Sequence, residues 1–134
     1  MKVVLDTNVL ISAFIFDGPV KRVWKKGKNF EYDLYLSNFI IDEFSSVIDK
    51  KFTSVDTKIQ SRHIQRIKEV ANIVEVNDSP DIVESDPLDN FIIATAQQAN
   101  VDYIVTGDED LLSIQEVGEI KIITPKRLLR KLSG

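Results

Sequence analysis

The stretch "VVLDTN" (3–8) carries an apolar run into an acid, a hydroxyl and an amide, and "VLISAF" (9–14) then resumes the apolar pattern. A buried strand running into a buried helix has little structural use for a carboxylate at the junction, because burying an unpaired charge is costly. The position of Asp6 therefore depends on what kind of sheet surrounds it.

Brief segments rich in Val, Ile and Tyr read as strands: 2–5, 33–36, 72–76, 102–106 and 121–124. Amphipathic segments alternate with them. Residues 19–28 begin with Pro19 at a first helical position and align Val20, Val23 and Trp24. Residues 38–51 follow Ser37 as N-cap and align Ile40, Phe44, Val47 and Ile48. Residues 57–71 (Ile59, Ile64, Ile67, Val70), 87–100 (Leu88, Phe91, Ile92, Thr95, Ala96, Ala99) and 125–132 complete the helices. The alternation predicts an α/β protein with an open, mostly parallel sheet of roughly five strands and helices on both faces. The segment 77–87 is the one obvious loop, so residues 1–134 are expected to form one domain.

In such sheets ligands collect beyond the carboxyl ends of the strands, where the strand order reverses. Asp6 follows the first predicted strand, and Asp108 follows the fourth in "YIVTGDEDLL" (103–112). If those strands are neighbours, the two carboxylates face each other. On the 38–51 helix, Glu43 lies about 40° around the axis from Val47, at the margin of the apolar stripe, whereas Asp42 points to solvent. Asp89 borders the buried side of its helix through Ile92, Ile93 and Ala96. "DPLD" (86–89) also reads as a capping arrangement, with Asp86 at N-cap and Asp89 at N3.

Clustered carboxylates repel unless a cation shares the site. With one His and no Cys, the available ligands are oxygens, which suit Mg²⁺ or Mn²⁺ rather than Zn²⁺. Such ions support phosphodiester hydrolysis. The sequence holds no Ser/His/acid pattern, P-loop or G-x-G-x-x-G fingerprint. Its charge is sharply divided. Residues 75–119 carry twelve acids and no Lys or Arg, so a net charge of −4 leaves the remainder at +8. The absence of cysteine suits a reducing compartment, and the N-terminal apolar run is too short for a bilayer span, so a cytoplasmic protein is expected.

"VLDTNVLISAF" (4–14), "SNFIIDEF" (37–44) and "DPLDNFIIATAQQANVDYIVTGDEDLL" (86–112) together resemble a PIN domain, in particular the VapC-like toxin branch, and the likeness runs on through "IKIITPKRLL" (120–129). The resemblance implies a three-layer α/β/α sandwich and a metal-dependent ribonuclease. It also implies a homodimer with a cognate antitoxin. By position, Asp6, Glu43, Asp89 and Asp108 match the family's four acids, which act as catalytic and metal-binding groups. Thr7, Asn8 and Thr106 match polar groups that orient them. Asp86 and Asp110 are further candidates, although a cap and a turn explain them. Asp6, Asp89 and Asp108 would hold one or two divalent ions, with Glu43 binding metal or orienting the water.

The basic run 20–28 offers Lys21, Arg22, Lys25 and Lys26 as RNA contacts, while Trp24 fits a core-facing stripe better than a stacking role. "PKRLLRK" (125–131) reads as a solvated basic face, and His63 as a surface residue. Competing readings are a housekeeping RNA-processing or structure-specific nuclease, a phospho-receiver-like signalling module and a non-catalytic RNA-binding domain. The receiver reading expects a paired acidic dipeptide after the first strand, which "VVLDTN" lacks.

Overall fold

A computed structural model describes residues 1–51, 57–78 and 87–133. Its chain order is β1 (Lys2–Leu5), α1 (Thr7–Ile15), α2 (Pro19–Lys28), β2 (Asp33–Ser37), α3 (Asn38–Lys51), α4 (Thr57–Val70) and β3 (Asn72–Val74). Then come α5 (Pro87–Ala99), β4 (Tyr103–Val105), α6 (Glu109–Leu112), β5 (Glu116–Val117), β6 (Ile120–Ile123) and α7 (Pro125–Ser133).

The six strands form one sheet in the order β3-β2-β1-β4-β6-β5, parallel except for β5 against β6. Helices on both faces complete a three-layer α/β/α sandwich. Successive strands step outward from β1 to β3, and the chain then crosses to place β4 on the other side of β1. The strand order therefore reverses between β1 and β4. That pair runs in register, with Val3 opposite Tyr103, Val4 opposite Ile104 and Leu5 opposite Val105. Val3, Val4 and Leu5 have no exposed surface, which explains why the first strand reads as an unbroken apolar run.

Helix α5 packs across β1, β2, β3 and β4, while α1 packs on α2 and α3, and α7 packs on α2. The expected stripe of α3 is buried at Ile40, Phe44 and Ile48, with Val47 only partly covered. The Ile40 amide lies 3.4 Å from Ser37 Oγ, the expected N-cap geometry. Trp24 is buried with its ring 4.8 Å from that of Phe14. At Gly27 a Cβ would lie 2.7 Å from the Tyr32 hydroxyl, which donates to the Val23 carbonyl, so the absence of a side chain lets α2 close on Tyr32.

Three details depart from the sequence reading. The edge strand β5 and the one-turn helix α6 are additions. They are too short to show periodicity, and β5 turns into β6 through Gly118 at φ +60°. Leu88 and Ile59 are 49% and 46% exposed rather than core-facing. His63 is half-buried, its ring 4.7 Å from Phe14, because α4 folds back toward α1.

Candidate active site

Asp6 stands at the N-cap of α1, but its side chain caps nothing. The junction is held by the backbone. The Asp6 amide donates to the Val105 carbonyl at 2.9 Å, and the Leu10 amide donates to the Asp6 carbonyl at 3.1 Å. The carboxylate is left to other uses, and only 5% of the residue is exposed. Thr106, directly across the β1–β4 ladder, donates its hydroxyl to Asp6 Oδ2 at 2.7 Å.

Thr106 continues the chain of contacts. Its oxygen accepts from the Asp108 amide at 3.0 Å, and its own amide donates to Ile123 of β6 at 3.0 Å. Asp108 in turn caps α6, its Oδ1 accepting from the Asp110 amide at 2.9 Å. One buried hydroxyl thus orients the acid at the end of β1 and the loop that carries the acid beyond β4.

Around these groups lies a cleft of about 530 Å³ lined by Asp6, Glu43, Asp89 and Asp108, together with Asn8 and residues of α3 and α5. Asp89 is buried in the first turn of α5. Glu43 is half-buried, and its Oε2 is enclosed without a hydrogen-bond partner among the described residues. Burial pushes the Asp6 carboxyl above the ordinary carboxylate range, and the charges of Glu43 and Asp108 raise it further. The Thr106 hydroxyl and the Thr7 amide act in the opposite sense.

The supporting residues fall in different places. Thr7 is buried, with its hydroxyl unpartnered among the described residues. Asn8 is exposed at the cleft, and Asp110 is exposed on α6. Asp86 lies outside the described residues. The sequence reading passed over Phe39, Asp42, Ser46 and Lys50, which also line the cleft. Asp42 is exposed as expected, but it stands at the cleft rather than apart from it. The missed signal is helical: 39, 42, 43, 46, 47 and 50 form one face of α3, rotated from the core stripe.

The donors fit a hard divalent cation by their chemistry. They are carboxylate oxygens, one of them (Glu43 Oε2) enclosed and unpartnered, around an Asp6 whose charge is disfavoured. Among the described residues no group of three or more His, Cys, Asp or Glu is gathered as a ready-made metal site. Oxygen-only donors of this kind suit Mg²⁺ or Mn²⁺ rather than Zn²⁺.

A parallel sheet with acids buried at its strand-order reversal defines a class of α/β proteins that hold ligands at the carboxyl edge. The match to the PIN domain model spans residues 2–110, and the chain belongs to that family. In three dimensions the chain is similar to PAE2754 from Pyrobaculum aerophilum, at 19% identity and TM-score 0.63, covering 99% of this chain and 90% of that one. It is also similar to FitAcB from Neisseria gonorrhoeae, at 17% identity and TM-score 0.61, covering 92% of this chain and 98% of that one. At these identities the likeness concerns the fold. No curated protein matches the chain in sequence.

Proposed function

We propose that the chain is a divalent-metal-dependent endoribonuclease that hydrolyses RNA phosphodiester bonds, as the toxin of a toxin–antitoxin pair. The observation that carries the reading is the Asp6 carboxylate, buried at the β1–β4 reversal, doing no capping, and facing a cleft that Glu43, Asp89 and Asp108 also line. Asp6, Asp89 and Asp108 would hold Mg²⁺ or Mn²⁺, which supplies Lewis-acid polarisation of a phosphodiester and neutralises the clustered carboxylates. Thr106 fixes the orientation of Asp6 through its hydroxyl and that of the Asp108 loop through the Asp108 amide. Glu43, whose Oε2 has no hydrogen-bond partner among the described residues, would bind metal or orient the attacking water.

The choice of RNA, the toxin role, a cognate antitoxin and a homodimer rest on the resemblance to VapC-like chains. Among the described residues no helix is long and apolar enough to cross a membrane. The test is cleavage of a fluorescent RNA with Mg²⁺ or Mn²⁺, with and without chelator, beside a folded Asp6→Asn protein. Metal-dependent cleavage that disappears in Asp6→Asn supports the proposal. Cleavage in chelator, or undiminished cleavage by Asp6→Asn, rejects it.

A further inference from the structure

The acidic cleft presents a difficulty for any polyanion. Lys50 is the one Lys or Arg among the described residues that line it. Nucleic-acid affinity comes mainly from cations on phosphates, so a strand cut at this cleft needs to be held elsewhere. The fold supplies such a place by joining two basic segments that lie a hundred residues apart. Helix α7 packs on α2, and between them runs a groove of about 660 Å³. Arg22 and Lys26 line it from α2, Lys126 and Arg130 from α7, over an apolar floor that includes Val20 and Leu129.

Three of these four cations are uncommitted. Lys26 lies 3.3 Å from Glu31, whereas Arg22, Lys126 and Arg130 are exposed and make no ion pair among the described residues. The groove also opens at the same edge of the sheet as the cleft. Thr124, which follows β6, is part of its wall, and β6 is two strands from β1, about 10 Å across the sheet. The hydrogen bonds from Asp6 to Val105 and from Thr106 to Ile123 tie that row together.

We infer that the α2–α7 groove is a binding track for the phosphate backbone of single-stranded RNA, holding the strand on one side of the bond presented to the acidic cleft. This rests on the reading above for the identity of the polyanion and for the bond presented to the cleft, whereas capture of a polyanion by the groove does not depend on it. It also divides the basic run of α2: Arg22 and Lys26 face the track, while Lys21 lies 3.5 Å from Asp17 and, with Lys25, is not part of the wall.

The test is binding of a labelled single-stranded RNA oligonucleotide to the full chain in chelator, by fluorescence anisotropy across a salt series. The variant Arg22→Gln/Lys126→Gln/Arg130→Gln is compared with Lys28→Gln/Arg62→Gln/Lys68→Gln, which removes the same charge from exposed positions off the groove. Each contact on single-stranded nucleic acid contributes about 0.7 to the slope of log K against log salt. The groove variant should lose about 2 from that slope and bind more weakly, and the control variant should keep most of both. Circular dichroism establishes that each is folded. Equal losses in the two variants, or none in either, overturn the inference. Stronger groove-dependent capture of poly-glutamate than of RNA also overturns it, and points to an acidic protein partner. Because turnover is not measured, groove-dependent binding by a chain that cleaves nothing supports the track and rejects only the nuclease reading.

Discussion

The β1–β4 pair ends in an aspartate at both extremities, and the two ends are built differently. At the amino end, Asp102 is exposed and its Oδ2 accepts from the Lys2 amide at 2.8 Å. The Asp102 amide returns a bond to the Lys2 carbonyl at 2.8 Å, and Lys2 Nζ donates to Ala99 and sits 4.8 Å from the Tyr35 ring. At the carboxyl end, Asp6 is buried, faces other acids and is met by the Thr106 hydroxyl and the Thr7 amide. The first end is complete within the protein. The second carries a buried charge that the fold itself raises in energy, the arrangement expected where a cation or substrate completes the site.

Exchanging each aspartate for its amide tests that contrast most severely. Loss of a residue that merely orients a ligand costs about 10–100-fold in activity. Asp6→Asn is therefore expected to lower metal-dependent RNA cleavage by more than about 100-fold. Asp102→Asn should leave cleavage intact and cost less than about 1 kcal/mol in stability, since an exposed acceptor is replaced by another. Equal damage at the two ends, read by initial rates and urea unfolding, would remove the distinction between them.

Thr106→Val comes next. It keeps the shape of the side chain but removes the donor to Asp6 Oδ2 and the acceptor for the Asp108 amide. An activity loss of about 10–100-fold is expected. The unsatisfied groups should also cost about 1–3 kcal/mol in unfolding free energy. A rate unchanged beyond the stability loss would mean that Asp6 is oriented by something other than this hydroxyl.

The two ends were unequally legible in the sequence. The unbroken apolar run before Asp6 marked a strand buried on both faces, and the helical offset of Glu43 from Val47 put it beside a stripe. Those patterns depend on local periodicity, which survives without a partner. The completion of Asp102 by Lys2 was invisible, because it requires knowing that residues a hundred apart share a ladder. The same reason hid the α2–α7 groove, whose halves read separately as one core-facing helix with basic neighbours and one solvated face. It also hid the rim of α3 at Phe39, Ser46 and Lys50, since a helix face is named only when something stands opposite it. β5 and α6 were missed for want of length rather than of partners.

A smaller effect separates the two ends through pH. Burial holds the Asp6 carboxyl above its ordinary pKa of 3.8, so the folded chain keeps a proton there after the unfolded chain has lost it. Stability therefore falls as pH rises through the folded value, and the deficit persists above it. In chelator, Asp6→Asn should unfold at a higher temperature than the wild type at neutral pH, with the advantage shrinking toward pH 4. The exchange at Asp102 should bring no such gain. A divalent cation should raise the melting temperature of the wild type and not of Asp6→Asn.

That pH profile contains a second contribution of opposite sign, which sets the smallest prediction. His63 is held below its ordinary value of 6.5 by partial burial against Phe14, with Arg66 and Lys21 acting in the same direction. The unfolded chain therefore takes up a proton there before the folded chain does. Stability from His63 is present above pH 6.5 and declines as pH falls through the folded value. The ring is only partly buried, so solvent screens the effect, which is expected to stay within about 0.5 kcal/mol. His63→Phe preserves the ring contact with Phe14 and removes the proton. In that background stability should fall more steeply with rising pH than in the wild type. If His63→Phe leaves the slope unchanged, the half-buried imidazole contributes nothing to it, and the comparison of the two aspartates can be read directly from the wild-type profile.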